Sequence, residues 1–124
     1  NNNPKRLACF KQLKATLGAS LKHTYRAFDN TGFARIVRGF DIQINLHKVC
    51  GDTHNPITFR VPKLLNARKL ILSEHAHPKD EREYTGMLFY VDNMSHAAAL
   101  YRRLSLCLPC ICPTSNAQLL VHAA

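Results

Sequence analysis

Two rhythms of apolar and polar residues run along the chain. Leu7, Phe10, Leu17, Leu21, Tyr25 and Phe28 recur at multiples of three and four, the spacing that gathers side chains into one stripe on a helix. Asn3 and Pro4 suit the cap and first turn, and Asp29-Asn30-Thr31-Gly32 supplies the turn that ends it. The pattern predicts a helix over 4–28, in which Gly18 costs about 1 kcal/mol relative to alanine.

The period then changes to two. Ala34, Ile36, Phe40, Ile42, Ile44 and Leu46 share one face, with Arg35, Asp41, Gln43, Asn45 and His47 on the other, which predicts a long half-exposed strand bulged near Gly39. Beyond a turn-rich segment, Ile57, Phe59 and Val61 alternate with Thr58 and Arg60, and the two segments read as a hairpin. A strand is expected at 69–73, an exposed polar loop at 75–84, and an interior strand at 87–91, where both parities are apolar. Asn93 or Ser95 caps a helix through Ala97, Ala98, Leu100, Tyr101 and Leu104 that stops before Pro109, and a short strand follows at 118–121. The fold class expected is α+β: an N-terminal amphipathic helix, an antiparallel sheet of about four strands, and a second helix near the C-terminus.

With 124 residues, 46% of them apolar, the chain supports one hydrophobic core and is read as a single basic domain over 1–124, with 105–124 as a peripheral Cys-rich tail. Seventeen Lys and Arg against eight Asp and Glu leave a formal charge of +9. The excess sits early: residues 1–62 carry ten basic and three acidic side chains, and residues 63–93 five of each. A surface of this kind concentrates polyanions around itself. Lys5, Lys11, Lys22 and Arg26 fall to one side of the predicted helical stripe, and Arg35 and Arg38 lie on the strand after it. These six are the candidate nucleic-acid contacts, with Tyr25 or Phe33 placed to stack on unpaired bases. RNA is favoured over DNA, and the module is expected to be non-enzymatic.

Other chemistries are weighed against that reading. Cys107, Cys110 and Cys112 crowd behind Arg102 and Arg103, a combination that one acyl chain would turn into an anchor for an anionic membrane. This makes a peripheral membrane-associated or self-assembling protein of viral matrix type the alternative. Five cysteines, an odd number, suggest reduced thiols in a cytoplasmic or nuclear protein. Cys107-x2-Cys110 and the donors His47, Cys50 and His54 have zinc-ligand types, but a second clean Cys-x2-Cys pair is missing and no metal site is assigned. The acidic residues Glu74, Asp80, Glu81 and Glu83 are expected to be solvated or paired with Lys79 and Arg82. No glycine-rich phosphate loop, nucleophile elbow or carboxylate pair is present, so neither cofactor nor small-molecule substrate is inferred.

His75-Ala76-His77 resembles the metal-binding His-hydrophobic-His element of rolling-circle replication initiators. That family pairs the element with a tyrosine nucleophile on a later helix, and Tyr101 lies on one here. The resemblance, which covers three residues and one tyrosine, implies a second alternative: a metal-dependent nicking enzyme in which a cation held by His75 and His77 polarises a phosphate attacked by Tyr101.

Overall fold

A computed structural model of the chain describes residues 4–24, 35, 38–46, 60–111 and 118–122. Helix α1, Pro4–Leu17, begins where the pattern places it but stops eleven residues short of the predicted end at 28. Gly18 takes φ +57°, a left-handed conformation in which only glycine is at ease, and one 3-10 turn, Gly18–Ser20, leads into strand β1, Leu21–Thr24. Lys14 Nζ donates to the carbonyls of Gly18 (3.0 Å) and Leu21 (3.4 Å), placing a cation at the negative end of the helix. The buried stripe is Arg6, Leu13 and Leu17, flanked by the partly buried Cys9 and Phe10; Leu7, assigned to the stripe by spacing, is 48% exposed.

The remaining elements are β2 (Ile42–Asn45), α2 (Arg60–Asn66), β3 (Leu70–Glu74), α3 (Pro78–Glu83), β4 (Phe89–Val91), α4 (Met94–Ile111) and β5 (Leu119–His122). The five strands form one sheet in the order β1-β5-β2-β3-β4, and every pairing in it is parallel. This overturns the antiparallel expectation. Helical residues separate each strand from the next: Arg35 and Arg38 between β1 and β2, then α2, α3 and α4. A helix that carries the chain back along the sheet lays the next strand in the same direction.

Of the predicted hairpin, the first arm survives only as β2, which pairs in parallel with β3 and β5, and the second arm is helical from Arg60 on. Arg35 and Arg38 are helical instead of extended, and Arg60 and Val61 open α2. Residues 57–59 lie outside the described set. In β2 the polar parity that suggested a solvent face, Gln43 and Asn45, is 0% exposed. Gln43 Nε2 donates to the Phe40 carbonyl at 3.0 Å, which helps to satisfy it there. The strands expected at 69–73, 87–91 and 118–121 are present as β3, β4 and β5, but β4, expected in the interior because both parities are apolar, is an edge strand with Phe89 exposed. The loop expected at 75–84 contains α3, capped by His77, whose Nδ1 accepts from the Lys79 amide. Helix α4 continues through Pro109 to Ile111, and β5 is an interior strand; residues 112–117 lie outside the described set.

Side-chain alternation assigns each helix to a face. Ile42, Ile44, Leu72, Val91, Leu119 and Val121 point to one side, where Leu13 and Leu17 of α1 and Met94, Ala97, Ala98 and Tyr101 of α4 cover them. On the other side Ile71 packs with Val61 and Leu64 of α2 and with Leu88, joined by Tyr84 and Tyr90. Gln12 Nε2 meets Ser95 Oγ at 3.4 Å and Arg102 Nη2 donates to the Thr16 carbonyl at 3.0 Å, so α1 and α4 lie side by side and run the same way. Cys9 is disulfide-bonded, which corrects the expectation of uniformly reduced thiols; an odd count still leaves at least one thiol unpaired within the chain. Cys107 is a free, exposed thiol. Among the described residues no helix is long and apolar enough to cross a membrane.

Candidate functional site

The α1/α4 layer carries a one-signed charge. Lys5, Lys11 and Lys14 on α1 and Arg102 and Arg103 on α4 are exposed, and neither helix contains a single Asp or Glu. The two helices pack side by side in parallel, so these side chains belong to one layer, with Lys14 turned toward the Gly18 and Leu21 carbonyls it donates to. Lys22 adds to the set as an exposed residue of β1, the edge strand next to β5. By contrast α3, on the second face, interleaves Lys79 and Arg82 with Asp80, Glu81 and Glu83. The sheet thus separates a basic face from a mixed one.

Of the six residues singled out by sequence, Lys5 and Lys11 belong to this layer, Lys22 sits at the sheet edge, and Arg35 and Arg38 are exposed helical residues between β1 and β2. Arg26 lies outside the described residues, as do Tyr25 and Phe33. Arg102 and Arg103, which sequence places beside the cysteines, join the α1 lysines only through helix–helix packing that sequence neighbours do not reveal.

At the carboxyl ends of β3 and β4 a second cluster forms around His75. Its Nδ1 meets Glu81 Oε1 of α3 at 2.7 Å and its Nε2 meets Asp92 Oδ1, in the turn before α4, at 2.8 Å. Carboxylates only accept, so both ring nitrogens must donate and the ring is an imidazolium. The Glu81 hydrogen bond, followed by burial acting against it and the Asp92 bond acting with it, leaves the His75 pKa raised above the ordinary imidazole value. The ring stacks on Tyr90 with centroids 5.6 Å apart and planes 12° from parallel, so the cation rests on an aromatic face. Burial, with help from the charges of Glu81 and Asp80, raises the Tyr90 pKa. His96 Nδ1 accepts from the Asp92 amide at 3.0 Å, which fixes it as the acceptor nitrogen and makes its 3.6 Å approach to the Asp92 carboxylate no ion pair. Beside the cluster opens a groove of about 410 Å³ lined by Pro78, Glu81, Arg82, Thr85, Gly86, Leu88 and Tyr90.

This geometry does not gather the nicking constellation. Tyr101 is buried under α4 on the basic side of the sheet, whereas His75 and Tyr90 share the opposite side. Both nitrogens of His75 are occupied, and His77 is spent as a helix cap. Among the described residues no group of three or more His, Cys, Asp or Glu is placed to hold a metal ion. The zinc donors His47, Cys50 and His54 lie outside the described residues.

The acidic residues expected to be solvated or paired with Lys79 and Arg82 are placed differently. Glu74 is the last residue of β3 and buried, and Glu81 is held by His75, not by Lys79 or Arg82. Sequence distance conceals the Asp92 contact, seventeen positions from His75. Comparison with protein-family models, with curated proteins and with solved structures finds no match.

Proposed function

We propose that the chain is a non-enzymatic module that binds a polyanion, RNA in preference to DNA, through the α1/α4 layer. One observation carries the reading: two helices packed side by side present Lys5, Lys11, Lys14, Arg102 and Arg103 with no acidic residue in either. Lys22, Arg35 and Arg38 extend the available positive surface. Five such side chains on the phosphates of a single strand would release counterions with a log–log salt slope of about −3.5, or roughly a hundredfold loss of affinity between 50 and 200 mM salt.

Fluorescence anisotropy with a labelled single-stranded RNA across that salt range tests it. Replacing Lys5, Lys11 and Arg103 together by Glu is expected to abolish binding of all RNA sequences alike, because phosphate contacts position without specifying. A triple variant that binds as the parent does removes this face from the model.

A second reading has its own observation. Leu106, 78% exposed, and Cys107 follow Arg102 and Arg103 by three to four residues, so all four share one exposed side of α4. That patch has the make-up of a peripheral anchor to an anionic membrane. Displacement of the RNA by acidic liposomes, and binding of the chain to them, would favour this alternative.

A further inference from the structure

The disulfide at Cys9 has four candidate partners in the sequence: Cys50, Cys107, Cys110 and Cys112. Cys107 is a free thiol. The way α4 lies along α1 decides among the other three. Gln12 Nε2 meets Ser95 Oγ, and the contact from Arg102 to Thr16 requires the helices to run the same way. Cys9 therefore stands about 4.5 Å behind the level of Gln12 and Ser95, beside the start of α4. Cys110 is fifteen residues beyond Ser95 on the same helix, or about 22 Å in the opposite direction. The two backbones are thus roughly 27 Å apart along the helix axes, where a disulfide requires Cα atoms about 4.4–6.8 Å apart. Cys112 follows Ile111, the last residue of α4, and one residue moves the chain by only about 3.8 Å, so it is out of reach as well.

Cys50 passes the same test. Arg6 Nη2 donates to the Leu46 carbonyl at 3.3 Å, which brings the chain just past β2 to the first turns of α1. Cys9 follows Arg6 by three residues, so the two side chains share one side of α1, about 5–6 Å apart. Cys50 comes four residues after Leu46, outside the described residues, and four residues span up to about 14 Å.

We infer that Cys9 is bonded to Cys50, a covalent clasp that holds the first turns of α1 to the chain leaving β2. The bond forms by exchange with a small-molecule disulfide such as oxidised glutathione. One protein thiolate displaces half of the reagent as a thiol, and the second thiolate displaces the other half, so two protein thiols are oxidised and one reagent disulfide is reduced to two thiols. A dithiol reverses the step: it ends as its own disulfide, and each protein sulfur regains a proton. The clasp closes a loop of forty residues between the two cysteines, which restricts the unfolded chain and so favours the fold.

Trypsin sorts the cysteines for a direct test, since Cys9 falls in residues 7–11, Cys50 in 49–60, and Cys107, Cys110 and Cys112 together in 104–124. The full chain, equilibrated with oxidised glutathione, alkylated in denaturant without reductant, digested and read by mass spectrometry, is expected to yield 7–11 joined to 49–60. Dithiothreitol is expected to separate the two peptides and, on the intact protein, to lower the Tm by about 10 °C. Cys50→Ser should leave Cys9 open to alkylation and show the lowered Tm without reductant, whereas Cys110→Ser should do neither. A peptide 7–11 joined to 104–124, a Cys9 alkylated in the parent, or a Cys9 still blocked in Cys50→Ser would each overturn the assignment.

Discussion

Replacing Arg6 by Met tests how the α1 end of the molecule is held. Arg6 is 5% exposed on the sheet side of α1, and its Nη2 donates to the Leu46 carbonyl, just past β2, at 3.3 Å. Burial lowers its pKa, and the negative charge of Glu74, itself 6% exposed at the end of β3, opposes that shift. Arg6→Met keeps an unbranched apolar stem but withdraws the cation, leaving the Glu74 carboxylate in a buried place without it. Withdrawing one of two buried, electrostatically coupled charges costs up to the about 3–5 kcal/mol of a broken buried pair, and the lost carbonyl hydrogen bond about 1 kcal/mol more, against which the buried thioether returns part. A net loss of about 3 kcal/mol is expected.

The double variant Arg6→Met, Glu74→Leu removes both charges, and such apolar replacements are often neutral or better. It should therefore lie within about 1 kcal/mol of the parent. Urea unfolding followed by circular dichroism reads both, since a 3 kcal/mol loss moves the midpoint by about 1–3 M for ordinary m-values. A single variant costing under about 1 kcal/mol, or a double variant no more stable than the single, would refute the idea that the two charges offset each other.

Two further substitutions follow from backbone geometry. Asn93 Oδ1 accepts from the His96 amide at 2.8 Å as the N-cap of α4, so Asn93→Ala should cost about 1 kcal/mol in thermal or urea unfolding, and Asn93→Ser much less. Gly18→Ala meets no atom within 4 Å but is forced to φ +57°, and should cost about 1 kcal/mol by the same measurement, a penalty of conformation and not of crowding.

Much of the local structure was legible in the sequence where local physics decided it. Asn93 announced the start of α4, and strands were placed correctly at Leu70–Ser73 and Phe89–Val91, although the two-sided apolarity of the latter suggested an interior strand and β4 lies at the sheet edge. The sheet's direction was misread because Gln43 and Asn45 imitate a solvent face while lying at 0% exposure in a central strand. A buried polar parity and a wet one look the same as letters, and only the neighbours supplied by other strands tell them apart. The three- and four-residue spacing through Leu21 and Tyr25 continued past Gly18, so periodicity concealed the point where α1 ends and an edge strand begins. The basic layer was half visible: its α1 lysines form a sequence cluster, but Arg102 and Arg103 reach them only through the packing that Arg102 makes on Thr16. The His75 clamp needed Asp92 from beyond the next strand, and no short motif encodes that approach.

The position of β5 has a consequence for how the molecule is made. Leu119–His122 lies between β1 and β2, and among the described residues β1 pairs with no other strand. While the ribosome lengthens the chain, β2 and β3 can associate as soon as both are out, but a slot one strand wide must stay open beside β2. At about 5–20 residues per second, roughly 4–15 s pass between synthesis of Asn45 and of Leu119. For that interval β2 exposes an unsatisfied row of backbone donors and acceptors, the template on which chains join the wrong neighbour. The last strand described along the chain is thus the one that closes the sheet, and the nascent protein is most vulnerable to aggregation just before it arrives.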